Sequence, residues 1–179
     1  MVFAIYGGAF GPPHVGHAMV TTWILWTGQA DRVILAPAAD HPFGKKMAPL
    51  QTRMDYCRAL IKDIGGGSVG VSDVEASLPA PNYTINLLRW FQSKHPSDTI
   101  RCVMGADNLV ARDRWYGFED IVREFSPIFV NRAGVVLPPG VEVASPVFPE
   151  VSSTEVRRRV AEGLPIDHLV TKSVGNLLR

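Results

Sequence analysis

Apolar positions along the chain follow two alternating periods. Residues 2–6 (Val-Phe-Ala-Ile-Tyr) make a short unbroken apolar run that stops at Gly7-Gly8, the pattern of a strand buried on both faces of a parallel sheet. After a loop of glycines and prolines, residues 15–27 carry Met19, Trp23 and Trp26 at helical spacing, and Val20, Ile24 and Leu25 widen the apolar face. This spacing predicts a well-buried helix with Gly28 as its stop. Residues 32–36 read as a second strand closed by Pro37. Residues 38–49, with proline, glycine and paired lysines but no period, read as a loop. A second helix is predicted over 50–64, with Met54, Cys57, Ile61 and Ile64 on one face and Arg53, Arg58 and Lys62 elsewhere.

Further on, residues 68–74 alternate like a strand, Pro79-Ala80-Pro81 turns the chain, and 83–94 reads as a helix. Strands are predicted over 99–104, ending at Gly105, and over 128–130, while the prolines from 138 to 149 mark irregular or edge structure. Helices over 153–162 and about 171–178 close the chain. No repeat or linker interrupts this order, so a single domain over 1–179 is expected. Strand–helix alternation implies an α/β class, a Rossmann-like three-layer fold with a mainly parallel sheet and right-handed crossovers. Ligands of such sheets bind beyond the carboxyl ends of the strands, so the loops beginning at Gly7, Pro37 and Gly105 are expected to face one cleft.

Composition narrows the class. Hydrophobic residues are 46% of 179 and charged residues 20%, which supplies a core and excludes wholesale disorder. Lys plus Arg (18) against Asp plus Glu (17) leaves a net charge of +1, which argues against nucleic acid as a partner. The two cysteines, Cys57 and Cys102, lie in apolar-periodic stretches, so a reducing compartment is expected rather than a disulfide scaffold. No apolar run is long enough to cross a bilayer, and the first residues lack a basic n-region and cleavage site; no membrane partner and a cytoplasmic location are expected.

The first chemically informative stretch is Gly7-Gly8-Ala9-Phe10-Gly11-Pro12-Pro13-His14-Val15-Gly16-His17, between the first strand and first helix. Glycines there let the backbone approach a ligand, and free N–H groups at a helix start favour phosphate. The stretch is neither G-x-G-x-x-G nor a P-loop, since no Lys follows. It offers His14 and His17 instead, three residues apart on one side of the helix mouth, where each imidazole can donate to phosphate oxygens. A zinc site on this pair lacks a third ligand at supporting spacing, His41 and Cys57 being the alternatives.

The second stretch is Val151-Ser152-Ser153-Thr154-Glu155-Val156-Arg157. Ser152 and Glu155 form a capping-box pattern that starts a helix. Hydroxyls of Ser153 and Thr154, backbone N–H groups and Arg157 at one helix mouth suit a polyphosphate.

Together these two stretches resemble the nucleotidyltransferase superfamily that carries the H-x-G-H signature. Tyr83-Thr84 opening a helix after Pro79-Ala80-Pro81, and a strand ending in Gly105-Ala106-Asp107 followed by Trp115, narrow the resemblance to the nicotinate or nicotinamide mononucleotide adenylyltransferases. The likeness runs from about Phe3 to Arg157. The chain departs from the family pattern at Gly11, where Asp or Asn is usual, and over Asp40–Lys46, which replaces a Pro-Pro-His-Lys loop. Arg132-Ala133-Gly134 stands for its later Arg-x-Gly.

The resemblance implies a nucleotidyltransferase fold and an enzyme of NAD biosynthesis, with ATP and a pyridine mononucleotide as its partners. The 5′-phosphate of the mononucleotide attacks the α-phosphorus of ATP and pyrophosphate leaves. The nucleophile is already an anion, so catalysis reduces to alignment and charge stabilisation. His14, His17 and Arg157 are the catalytic residues so implied. Gly7, Gly8, Ala9, Phe10, Gly16, Gly105, Ser153 and Thr154 would bind ATP. Tyr83, Thr84, Asp107, Trp115 and Lys45 would bind the mononucleotide, with Trp115 at the position that stacks on the pyridine. Mg²⁺ would be held through ATP phosphates and water, with no dedicated metal ligands. A homo-oligomer stays open.

Tyr83-Thr84 at a helix start favours nicotinate over nicotinamide mononucleotide, because free N–H groups suit a carboxylate. The amide mononucleotide stays open as the acceptor. The competing readings are pantetheine-phosphate adenylyltransferase, whose motif usually has Thr at the first His, and a catalytically weak nucleotide-binding regulator.

Overall fold

The computed structural model describes residues 1–39 and 47–179. Its first strand, β1 (Val2–Gly8), shows why the opening apolar run is unbroken. Phe3 and Ile5 enter one buried cluster, while Ala4 between them enters another on the opposite face. Both faces of the strand are therefore covered, as in parallel sheets flanked by helices.

The remaining strands are β2 (Arg32–Pro37), β3 (Val69–Val71), β4 (Thr99–Gly105), β5 (Ile128–Arg132) and β6 (Val147–Phe148). They form one sheet in the order β3-β2-β1-β4-β5-β6. Every neighbouring pair is parallel, with Ile5 of β1 opposite Ile34 on one side and Cys102 on the other. The chain runs outward from β1 to β3 and returns to β4 at the other side of β1, which opens a crevice at the carboxyl ends of β1 and β4.

Two helical layers cover the sheet. On one face lie α1 (Val15–Trp26), α2 (Leu50–Ile64), α6 (Ser153–Ala161) and α7 (Lys172–Leu178), which bury Ile24, Leu60, Val156 and Val174 together. On the other lie α3 (Thr84–Lys94) and α5 (Phe118–Phe125), contributing Leu88, Phe91, Phe118 and Ile121. A single turn, α4 (Asp107–Val110), follows β4. The three-layer α/β architecture expected from the sequence is present, and the sheet is parallel throughout the described residues.

Several elements differ from the sequence expectation. The strand expected over 68–74 pairs only over Val69–Val71, and Val74–Ser77 forms a 3₁₀ turn with Val74 and Glu75 buried. The stretch between 105 and 127, to which the sequence reading assigns no element, contains α4, a 3₁₀ turn at Arg112–Arg114, and α5. Phe118, Ile121 and Phe125 of α5 do have helical spacing, but over only two turns between charged residues. The proline segment supplies the edge strand β6.

Burial corrects two further expectations. On α1 the buried positions are Gly16, Ala18, Val20, Thr21 and Ile24, whereas Met19 is exposed and Trp26 is 87% exposed. That helix is apolar on nearly every side, so spacing alone does not choose its inner face; small and β-branched residues let it approach the sheet. On α2, Arg53 is buried at 1% exposure with Met54, Cys57 and Leu60, not turned outward like Arg58.

Candidate active site

The loops after β1, β2 and β4 line one cavity of about 380 Å³ at the crevice beside β1 and β4. Gly7, Ala38 and Gly105 all reach it, as the strand order requires. Its floor is the segment from Gly7 to His17.

Local packing fixes that segment. Phe10 has φ +45° and is buried, its ring 4.9 Å from His17 and 5.7 Å from Tyr6. A Cβ on Gly8 would lie 3.2 Å from the Phe10 ring, so the strand end and the loop touch closely. Arg53 reaches from α2, donating to the carbonyls of Ala9 at 3.0 Å and Ala48 at 2.9 Å. A buried guanidinium with carbonyl partners is a rigid brace, because its forked donors fix two directions at once.

His14 precedes α1 in an extended conformation, and its backbone N–H donates to Nδ1 of His17 at 3.1 Å. The two rings lie 3.9 Å apart between centroids. The glycine between them is a steric requirement: a Cβ on Gly16 would stand 3.0 Å from His14 Nδ1. Burial, with the Arg132 charge, lowers the pKa of His14 to about 4. Burial, then His14 and Arg132, holds His17 well below the ordinary histidine value. Both are neutral imidazoles at pH 7. His17 accepts at Nδ1 and so carries its proton on Nε2.

The wall after β4 is built differently. A Cβ on Gly105 would overlap the carboxylate of Asp107, so glycine there lets Asp107 fold back over the strand end. Asn108 donates from Nδ2 to the Gly105 carbonyl at 3.0 Å and accepts at Oδ1 from the Trp115 indole N–H at 3.0 Å. Thr84, the first residue of α3, lines the cavity beside Asn82. Tyr83 caps that helix and stacks on Tyr116 at 4.2 Å between centroids.

The structure thus brings Gly7, Gly8, Ala9, His14, Gly16 and His17 to one cavity with Thr84, Gly105, Asp107 and Trp115. Phe10 lies beneath the loop as packing and does not line the cavity. Tyr83 stands one residue outside the lining. Ser153, Thr154 and Arg157 are absent from the lining as well. Arg157 donates to the Gly11 carbonyl and, at 3.1 Å, to Thr154 Oγ1, while Ser153 donates to the Pro12 carbonyl at 2.8 Å. The mouth of α6 is therefore fastened to the His-bearing loop at Gly11 and Pro12. At that mouth only half of the capping box forms: Ser152 accepts from the Glu155 N–H at 3.1 Å, whereas the Glu155 carboxylate pairs with Arg158 and Arg159. Those two guanidiniums lower its pKa to about 2. Lys45 lies outside the described residues.

Sequence spacing leaves Arg53, Glu75, Asn82 and Asn108 unmarked, and Arg132 enters there only as a family position. Arg132 ends β5 at the carboxyl edge where ligands collect, which is the signal that marks it. Among the described residues it makes no ion pair. Glu75 accepts from the Ala39 N–H at 3.1 Å and so ties the 3₁₀ turn to the loop after β2. Among the described residues no three His, Cys, Asp or Glu side chains converge as a metal site, and no helix is long and apolar enough to cross a membrane. Cys57 is a core thiol, pushed up to about 12 by burial.

A parallel sheet with this strand order and a histidine pair at a phosphate-suited helix mouth defines an α/β nucleotidyltransferase. The Cytidylyltransferase-like family pattern matches residues 5–159. A probable nicotinate-nucleotide adenylyltransferase of Anaeromyxobacter dehalogenans is 37% identical over 96% of this chain and 90% of its own length. The crystal structure of a putative nicotinate-nucleotide adenylyltransferase from Vibrio parahaemolyticus superposes with a TM-score of 0.76 at 29% identity, covering 99% of this chain and 97% of that one. A Plasmodium falciparum nicotinic acid mononucleotide adenylyltransferase complexed with NaAD shares the fold, with a TM-score of 0.80 at 19% identity over 99% and 94% of the two chains. The chain belongs to the nicotinate-nucleotide adenylyltransferase family and is an enzyme of the nucleotidyltransferase class.

Proposed function

We propose that this enzyme transfers the adenylyl group of ATP to nicotinate mononucleotide, giving nicotinate adenine dinucleotide and pyrophosphate. The observation that carries the reading is the neutral His14–His17 pair in the same cavity as Thr84 and Trp115. In the reaction an oxygen of the 5′-phosphate forms a bond to the α-phosphorus of ATP. The bond from that phosphorus to the oxygen bridging to the β-phosphorus breaks, and pyrophosphate carries the electron pair away. No base is required, so the protein's work is alignment and charge stabilisation.

His17 Nε2–H is the donor aimed at the phosphoryl group, held in that tautomer by the His14 backbone. Arg132 supplies the positive charge of the cavity. Arg157, with Ser153 and Thr154, serves the triphosphate from the mouth of α6, and its bond to Gly11 sets the loop beneath it. Among the described residues two carboxylates, Glu75 and Asp107, line the cavity without a third. That donor set fits Mg²⁺ carried mainly by ATP phosphates and water, and the ion would offset phosphate charge. We place the reaction in the cytoplasm, in keeping with two buried free thiols.

Trp115 offers a face for the pyridine ring, and the first N–H groups of α3 at Thr84 favour a carboxylate over a carboxamide. A mismatched polar contact in such a pocket costs about 1–3 kcal/mol, or roughly tenfold to a hundredfold in specificity. Pyrophosphate release from ATP with each mononucleotide in turn tests both parts. The expected result is turnover with a preference for the acid. No turnover with either mononucleotide overturns the adenylyl-transfer reading, and equal or reversed preference overturns the choice of acid alone.

A further inference from the structure

Trp115 has one polar atom, its indole N–H, and that atom is bound. The ring follows a short 3₁₀ turn in the segment between α4 and α5, so no long helix or paired strand sets its direction. Its apolar surface packs on the buried cluster of the α3 and α5 face, and its N–H is held by Asn108, whose Oδ1 accepts from the indole and whose Nδ2 donates to the Gly105 carbonyl. Gly105 ends β4, which is paired on both sides, with β1 and β5. The tether therefore runs from an interior strand through one planar amide to the indole.

We propose that Asn108 is a positioning residue that fixes the plane of the Trp115 indole and so sets how the site grips the pyridine ring. The inference rests on the function proposed above, in which Trp115 meets that ring. An indole packed on one side keeps freedom about its Cβ–Cγ bond, and an N–H tether removes it. The tether needs a donor and an acceptor on one rigid group of the right length. Asparagine has both, aspartate at neutral pH only accepts, and leucine does neither. Glycine at 105 makes room for Asp107, whose carboxylate a Cβ there would overlap, while Asn108 Nδ2 would stand at ordinary contact distance, 3.6 Å. Asp107 and Asn108, adjacent in one turn, thus use the same strand end in different ways.

The test uses Asn108→Leu, Asn108→Asp and Trp115→Phe in the full chain. The indole N–H resonance of Trp115 is identified by its disappearance in Trp115→Phe. In Asn108→Leu that resonance should move upfield, and the KM for nicotinate mononucleotide should rise roughly twofold to tenfold, the worth of one net hydrogen bond. The KM for ATP should stay within about twofold, because the pyridine end is separate from the triphosphate. Asn108→Asp keeps the acceptor and should restore the resonance and part of the KM.

An unmoved resonance in Asn108→Leu overturns the proposal. So does an unchanged KM for the mononucleotide, or an equal rise of both KM values, which would mark a general loosening. If Asn108→Leu does not fold, Asn108→Asp decides: it keeps the acceptor for the indole and loses the donor to Gly105, so a resonance near its wild-type position with a KM for the mononucleotide raised less than about tenfold supports the tether, and a displaced resonance with a wild-type KM overturns it. A wild-type enzyme that releases no pyrophosphate with either mononucleotide overturns the function itself, and the positioning role falls with it.

Discussion

The backbone N–H of His14 donates to Nδ1 of His17 across 3.1 Å, so the helix start and the tautomer of its second histidine are one device. The same bond satisfies an orphan donor near the helix N-terminus and leaves Nε2–H as the only proton His17 can offer. Structure and chemistry at this point share one side chain, Nδ1 serving the first and Nε2–H the second.

Replacing His17 therefore separates two effects only if the acceptor is kept. His17→Ala should lower kcat by on the order of a hundredfold, the cost of losing a preorganised donor to developing charge, with a smaller loss of ATP affinity. His17→Asn offers an oxygen in place of Nδ1 and should hold the melting temperature near wild type while kcat stays low. Near-normal turnover in either variant would remove His17 from the chemistry.

Gly16→Ala is a test of sterics alone. The added methyl would meet His14 Nδ1 at 3.0 Å and must displace the ring. Alanine is the better helix former by about 1 kcal/mol, so stability should hold or rise slightly. The ring must give by a few tenths of an ångström, so kcat should fall, by less than the roughly hundredfold that a misplacement of about 1 Å costs. The outcome that would defeat this is full activity at unchanged stability.

Arg53→Met should destabilise the fold. It removes the guanidinium's two hydrogen bonds to the carbonyls of Ala9 and Ala48, both exposed residues, at about 1 kcal/mol net for each. Denaturant unfolding should show the lower midpoint, and kcat should fall with it because Ala9 belongs to the cavity floor. A midpoint equal to wild type would mean that the brace contributes nothing.

The histidine pair also predicts how stability depends on pH. Both folded-state pKa values lie below the unfolded value of about 6.5, so the unfolded chain binds more protons as the medium is acidified. Stability is complete above that value and is lost as pH falls from about 6.5 toward 4. For His14, with its pKa about 4, the loss amounts to something on the order of 3 kcal/mol. Unfolding curves at stepped pH should show this slope for the wild type and a shallower one for His14→Gln. Identical slopes would show that His14 titrates normally in the folded chain.

Local pattern carried much of this protein. The helix over 50–64 has the same limits in the sequence reading and in the structure, because one apolar face and a triple glycine define it without outside help. The Gly7–His17 segment was legible for the same reason: glycines, two histidines and a strand–helix junction state their chemistry within eleven residues. Strand–helix alternation likewise implied the layers and the end of the sheet where ligands bind.

Tertiary structure alone decided the rest. Arg53 and Ala9 are 44 positions apart, and Ser153 and Pro12 are 141 apart, yet each pair is one hydrogen bond. Periodicity reports which face of an element is apolar. It does not report which distant backbone a buried arginine will reach, or which of several apolar faces α1 will turn inward. Arg132 meets the histidines only because β5 lies beside β4 in the sheet order, with β1 next to β4 on its other side. Strand order is settled by how whole layers pack, and no local stretch of sequence contains that free energy.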